Sequence, residues 1–286
     1  MLQRWLVAII GLPLLLLVLL ACPDWATMLL VCAIAGVAAY ELLHVAGKNV
    51  PKGVYGITIA CAVLQVWVVY DHRRYVGTEL AYPYLEETSA AELWQLPALL
   101  LIVLFFVAVT TYGKPNAMPF PDVTVALVGG VAFPMMYVCI LLLRMKYDYG
   151  RIYVLAPFFI AFAGDSLAMY FGKWFGKKKM TPVSPKKTWA GFWGNMLGSA
   201  LGMLLLGAIG SRSLGYPANY PLLVLVGVTA NPVGQLGDLS MSLIKRENGV
   251  KDYSHLFLTH GGMLDRFDST MFIAPMVYFF VNTGLI

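Results

Sequence analysis

Between Ser242 and Asp268 the chain reads SLIKRENGVKDYSHLFLTHGGMLDRFD, with eight charged residues and two histidines in 27 positions. The chain as a whole is 12% charged and 59% hydrophobic. Asp265 and Asp268 open an apolar run, Asp238 lies inside NPVGQLGDLSMSLIKR, and Asp165 lies inside AFAGDSLAMYFGK. A bare carboxylate deep in a spanning helix costs about 2.5–3.5 kcal/mol, so four together cost on the order of 10 kcal/mol. A fold stable by roughly 5–15 kcal/mol cannot carry that uncompensated. The four must be paired, protonated, hydrated or bound to a cation.

Spacing narrows the chemistry. Asp265 and Asp268 are three apart and share a face if the helix has begun. Asp238, Ser242 and Lys245 also share a face, with Arg246 beside its basic end. Carboxylates at a membrane boundary suit Mg²⁺, which takes one or two of them plus substrate phosphates. Lysine and arginine just outside suit the phosphates. The Gly261-Gly262 turn after His260 leads into a helix N-terminus, where free N–H groups can receive an anion. A second segment, KWFGKKKMTPVSPKKT, sets Lys173, Ser184, Lys186 and Lys187 around a proline turn.

Each feature also has a plainer reading. Asp265–Arg266–Asp268 suits a salt-bridged helix start, and Asp238 with Lys245 a structural pair. Lys177, Lys178 and Lys179 suit an orientation signal or contact with anionic lipid. His44, His72 and His255 fit no cluster.

The elements that must position these groups follow from composition. The 286 residues have a mean hydropathy of +0.73. Apolar runs of about 20 residues recur, each long enough to cross a bilayer core as a helix. The expectation is an all-α polytopic membrane protein of nine spans: 4–22, 25–46, 54–71, 93–112, 121–143, 152–172, 189–210, 220–241 and 266–285. No loop exceeds about 25 residues and no repeat is evident. The chain therefore reads as one membrane domain, 1–286, with N-terminal spans over 1–150 and catalytic spans over 151–286. The first run resembles a secretion signal but is long enough to be retained as a helix. Cys22, Cys32, Cys61 and Cys139 form no CxxC and read as small apolar side chains.

Nine spans put 14 of the 20 lysines and arginines on the N-terminal side and 6 on the other. Basic residues accumulate in the cytoplasm. The expected topology has the N-terminus inside, the C-terminus outside and both charge-rich segments facing the cytoplasm, in a bacterial inner (plasma) membrane. The net charge of +5 reads as topology and headgroup contact, not nucleic-acid binding.

SLIKR, four residues, KD, then HGGMLDRFD resembles the signature of the phosphatidate cytidylyltransferases (CDP-diacylglycerol synthases). The similarity rests on Ser242, Lys245, Arg246, Lys251, Asp252, Ser254, His260, Gly261, Gly262, Asp265, Arg266 and Asp268. Upstream, Asp165 with Gly172 and Lys173, Ser184 through Gly191, and Leu236-Gly237-Asp238 match in order, so the resemblance covers about 157–270. Two positions depart from the family pattern: Leu258, where proline or glycine is usual, and Ala190, where glutamate is typical.

The resemblance implies transfer of CMP from CTP to phosphatidate, giving CDP-diacylglycerol and pyrophosphate, with Mg²⁺ and room for a second, monovalent cation such as K⁺. It implies Asp238, Asp265 and Asp268 around the metal, with Asp165 beside them. Lys186, Lys187, Lys245, Arg246 and Arg266 would hold phosphates, and Ser184, Lys173, Lys251 and His260 would contact substrate or position the loop. The partners implied are CTP, phosphatidate and membrane lipids, with a homodimer left open. Two rivals predict different outcomes. A polyprenol or phytol kinase, or a CDP-archaeol synthase, would also use CTP. A transporter would move a substrate without consuming CTP.

Overall fold

The computed structural model describes residues 2–76, 85–146, 148–257 and 261–286. Eleven α-helices follow one another among the described residues. They are α1 (Leu2–Leu16), α2 (Asp24–Ala46), α3 (Lys52–Val76), α4 (Leu85–Thr111), α5 (Phe120–Leu127) and α6 (Phe133–Arg144). Then come α7 (Gly150–Tyr153), α8 (Ala156–Phe175), α9 (Trp189–Leu214), α10 (Tyr220–Glu247) and α11 (Leu264–Asn282). Pairing outside helices amounts to one isolated bridge, Lys179 with Thr188, among the described residues.

Among the described residues, seven stretches are long and apolar enough to cross a membrane: Asp24–Ala46, Lys52–Arg74, Leu93–Thr111, Phe120–Arg144, Gly150–Phe175, Trp189–Leu214 and Tyr220–Glu247. The chain is thus an all-α integral membrane protein. The sequence predicts nine spans, and the difference lies at the two ends. The apolar part of the first helix is Ile9–Ala21. The last helix spends its first turns on Asp265, Arg266 and Asp268. The expected loop at 242–265 also begins later, because α10 continues to Glu247. Leu243 through Glu247 are good helix formers, and Lys245 and Arg246 meet the negative end of the helix dipole.

Two compact units divide the chain: Met1–Leu141 with Asp252–Asp265, and Leu142–Lys251 with Arg266–Ile286. In the first, α2 packs on α3, and α3 on α4. A π-helical turn, Val128–Ala132, joins α5 to α6. Such a turn frees a carbonyl from the regular ladder. Here Gln65 Nε2 donates to Gly130 O at 2.5 Å. Buried Asp122 accepts from the backbone N–H groups of Lys48 (3.2 Å) and Asn49 (2.7 Å), fixing the turn between α2 and α3.

In the second unit α9 packs closely on α8 and α10. Gly194, Gly198 and Gly202 recur every four residues on α9. A β-carbon at any of them would meet α8 atoms of Phe171, Ala163 or Phe159. Small residues at this spacing let spanning helices approach backbone to backbone. Gly227 of α10 likewise faces Ser199 of α9, and Gly234 and Gly237 face Ile273 and Phe272 of α11. Close approach along these seams puts the polar side chains of four helices within reach of one another.

Candidate active site

A small, partly open cavity lies among α8, α9, α10 and α11 in the second unit. Its lining includes Asp165, Lys187, Asn195, Asn231, Gln235 and Asp238. The enclosed part is small, about the space of a single water, and the rest opens outward, so a larger group would be held at its mouth.

One wall is a relay of neutral amides. Asn195 Nδ2 donates to Asp165 Oδ1 at 3.2 Å. Asn231 Nδ2 donates to Asn195 Oδ1 at 2.5 Å and to Ser199 Oγ at 2.6 Å. Gln235 Nε2 donates to Asn231 Oδ1 at 2.6 Å. Ser199 Oγ closes the relay on Ile160 O at 2.8 Å. All four of these polar side chains are buried, and each is satisfied by the next, as interior polar groups must be. The relay holds Asp165 at its exposed end.

The opposite wall carries charge. Lys187 Nζ lies 2.6 Å from Asp238 Oδ2, with both side chains partly exposed. Ser242, one turn further along α10, points its Oγ at Asp238 Oδ1 (3.4 Å). Lys187 is aimed by a pinned hairpin: Met180 N–H donates to Lys187 O, Lys187 N–H to Ser184 O, and Trp189 N–H to Lys178 O. Thr188 then caps α9 by accepting from Gly191 N–H at 3.1 Å. Asp268, in the first turns of α11, accepts from Ser269 N–H at 2.7 Å. Lys245 is buried in the last turn of α10. Arg246, Lys173, Lys186, Lys251 and Arg266 are exposed, and Ser184 is half-buried.

Of the residues that the sequence singles out, the cavity therefore gathers Asp165, Asp238 and Lys187. Asp265 belongs to the loop of the first unit, where its Oδ2 accepts from Tyr253 N–H (2.8 Å) and Gly262 N–H (2.9 Å). His260 and Leu258 lie outside the described residues. Reading the sequence missed Asn195, Asn231 and Gln235. Their signal was present: each is a polar side chain inside an apolar span, and such residues face the protein interior.

The donor set fits a hard cation. Two carboxylates and amide oxygens line one partly open space, and oxygen donors of this kind are what Mg²⁺ prefers. Among the described residues no three His, Cys, Asp or Glu form a preassembled metal cage. Mg²⁺ does not require one, since it keeps several waters and takes further oxygens from phosphates.

The model of the cytidylyltransferase family matches residues 2–283. A phosphatidate cytidylyltransferase of Synechocystis sp. is 41% identical over 133 residues, which cover 46% of this chain and 44% of that protein. One from Bacillus subtilis is 34% identical over 181 residues, covering 63% of this chain and 65% of the relative. One from Rickettsia felis is 32% identical over 192 residues, covering 66% and 84%. The matches thus span less than two thirds of the Synechocystis and Bacillus proteins.

Proposed function

This chain belongs to the cytidylyltransferase family, and on that premise we propose that it transfers CMP from CTP to phosphatidate, releasing pyrophosphate and forming CDP-diacylglycerol. The observation that carries this reading is the cavity in which Asp165 and Asp238 stand beside Lys187. A phosphomonoester has a second pKa near about 6 and is largely dianionic at neutral pH. Its own oxygen can attack the α-phosphorus of CTP, with the α–β bridging oxygen leaving on pyrophosphate. No protein nucleophile is needed. The barrier is the approach of two polyanions, which calls for cations and alignment.

Mg²⁺, when bound, would neutralise phosphate oxygens and the leaving pyrophosphate. Asp165, Asp238 and Asp268 are the residues we assign to hold it. Asp265 remains a candidate ligand by resemblance, with one oxygen already committed to its loop. Lys187 would exchange Asp238 for a phosphate oxygen as the nucleotide arrives. Lys186, Lys245, Arg246 and Arg266 would hold the remaining phosphate charge. Ser184, Lys173, Lys251 and His260 would line the approach. The topology that fits this chemistry has the N-terminus and the cavity mouth in the cytoplasm of a bacterial inner membrane, where CTP is available.

Labelled CTP tests the reading in the purified protein with phosphatidate and Mg²⁺. Label from the α-phosphate should enter the lipid, and label from the γ-phosphate should leave in pyrophosphate. Transfer of the γ-label to lipid would identify a kinase, and flux without CTP consumption a transporter.

A further inference from the structure

Glu41 has no part in the chemistry above. It lies in α2, inside an apolar span, and is 1% exposed. Its Oε1 accepts from Ser254 Oγ at 2.6 Å and from Met263 N–H at 2.9 Å. Its Oε2 accepts from Leu264 N–H at 2.8 Å. Ser254 Oγ in turn accepts from Leu256 N–H at 3.2 Å. One carboxylate thus gathers both ends of the 252–265 loop, more than two hundred positions away in sequence. Carboxylate and loop belong to the same compact unit.

Two features show that the segment from Gly262 to Leu264 is shaped around this carboxylate. Leu264 is the first residue of α11, and the first N–H groups of a helix have no intrahelical partner. Glu41 supplies the acceptor that a local N-cap would supply, from another helix. Gly262 packs against it so closely that a β-carbon there would overlap the carboxylate. The next residue after Leu264 is Asp265, whose Oδ2 ties Tyr253 N–H to Gly262 N–H. Glu41 anchors the loop to α2, and Asp265 closes it on itself.

We propose that Glu41 is a positioning residue for the reaction: it fixes the 252–265 loop and the start of α11, and so fixes where Asp265 stands. Its effect on turnover rests on the reaction proposed above, whereas its effect on the loop does not. Glutamine has nearly the same shape but replaces one acceptor oxygen with an NH₂ group. At Glu41 that puts a donor against the Leu264 or Met263 N–H, leaving a buried N–H unmet.

The test uses the full-length protein in detergent, as wild type, Glu41→Gln and Glu41→Ala, with Ser254→Ala as a milder lesion. Hydrogen exchange is read first, without CTP. Amides of Met263 and Leu264 should exchange about tenfold faster or more in both Glu41 variants, while α9 keeps its protection. With CTP, phosphatidate and Mg²⁺, kcat should fall about 10- to 100-fold, the scale of a misplaced group. KM for CTP should stay within about twofold. Should Glu41→Ala fail to fold, Glu41→Gln decides. A folded Glu41→Gln with wild-type exchange in the loop, or with wild-type kcat, overturns the proposal. A wild-type protein that makes no CDP-lipid overturns the reaction instead, and the exchange data still decide the role of Glu41.

Discussion

Carboxylates are held in two different ways in this protein. In the first unit Glu41 and Asp122 are met by backbone N–H groups. In the cavity of the second unit Asp165 and Asp238 are met by side chains: an asparagine, a lysine and a serine. Backbone donors are fixed once the fold forms, so those carboxylates are committed. Lys187 is partly exposed, and an exposed side chain can rotate away in nanoseconds or less. Asp238 can therefore change partners.

Substitutions should break this comparison in graded steps. Asp238→Asn is expected to have the largest effect, lowering CDP-diacylglycerol formation on the order of 10²-fold or more, since even outer partners of a metal site are worth 10–100-fold. Its thermal midpoint in detergent should hold, because its partners are side chains at a partly open site. Unchanged turnover in the folded variant would remove Asp238 from the site. Asp122→Asn should do the reverse. One of its two backbone N–H groups loses its acceptor, at a cost of about 1–3 kcal/mol in stability. The rate per folded molecule should stay near that of wild type, and a specific loss of rate would erase the distinction drawn between the two groups of acids. Thr188→Ala is the smallest step. Losing the N-cap of α9 should cost ~1 kcal/mol, with a modest loss of activity from the loosened hairpin that aims Lys187. A larger loss of activity than in Asp238→Asn would rank the hairpin above the carboxylate.

The sequence made part of this legible. Apolar runs gave the all-α membrane class and the positions of the central helices, because hydrocarbon leaves few other ways to satisfy a backbone. The ends were harder: Asp265, Arg266 and Asp268 occupy helix that a hydropathy window counts as marginal. The cost of buried charge also pointed to Asp165 and Asp238, which the fold does bring to one cavity. Periodicity says which residues share a face of a helix, and it does not say which helix that face meets. The relay through Asn195 and Asn231 was therefore invisible, since it depends on α8, α9 and α10 meeting along glycines. Glu41 escaped for the same reason. Its partners are backbone atoms of a distant loop, and backbone atoms leave no trace in residue type.

The contact of Lys187 with Asp238 has a consequence for the resting protein. An ammonium on a four-carbon tether is a counter-ion that the chain brings with it and that cannot diffuse away. In the folded protein Asp238 has a positive neighbour even when no solute occupies the cavity. An acid paired in this way does not leave an uncompensated charge in the membrane when the cavity is empty.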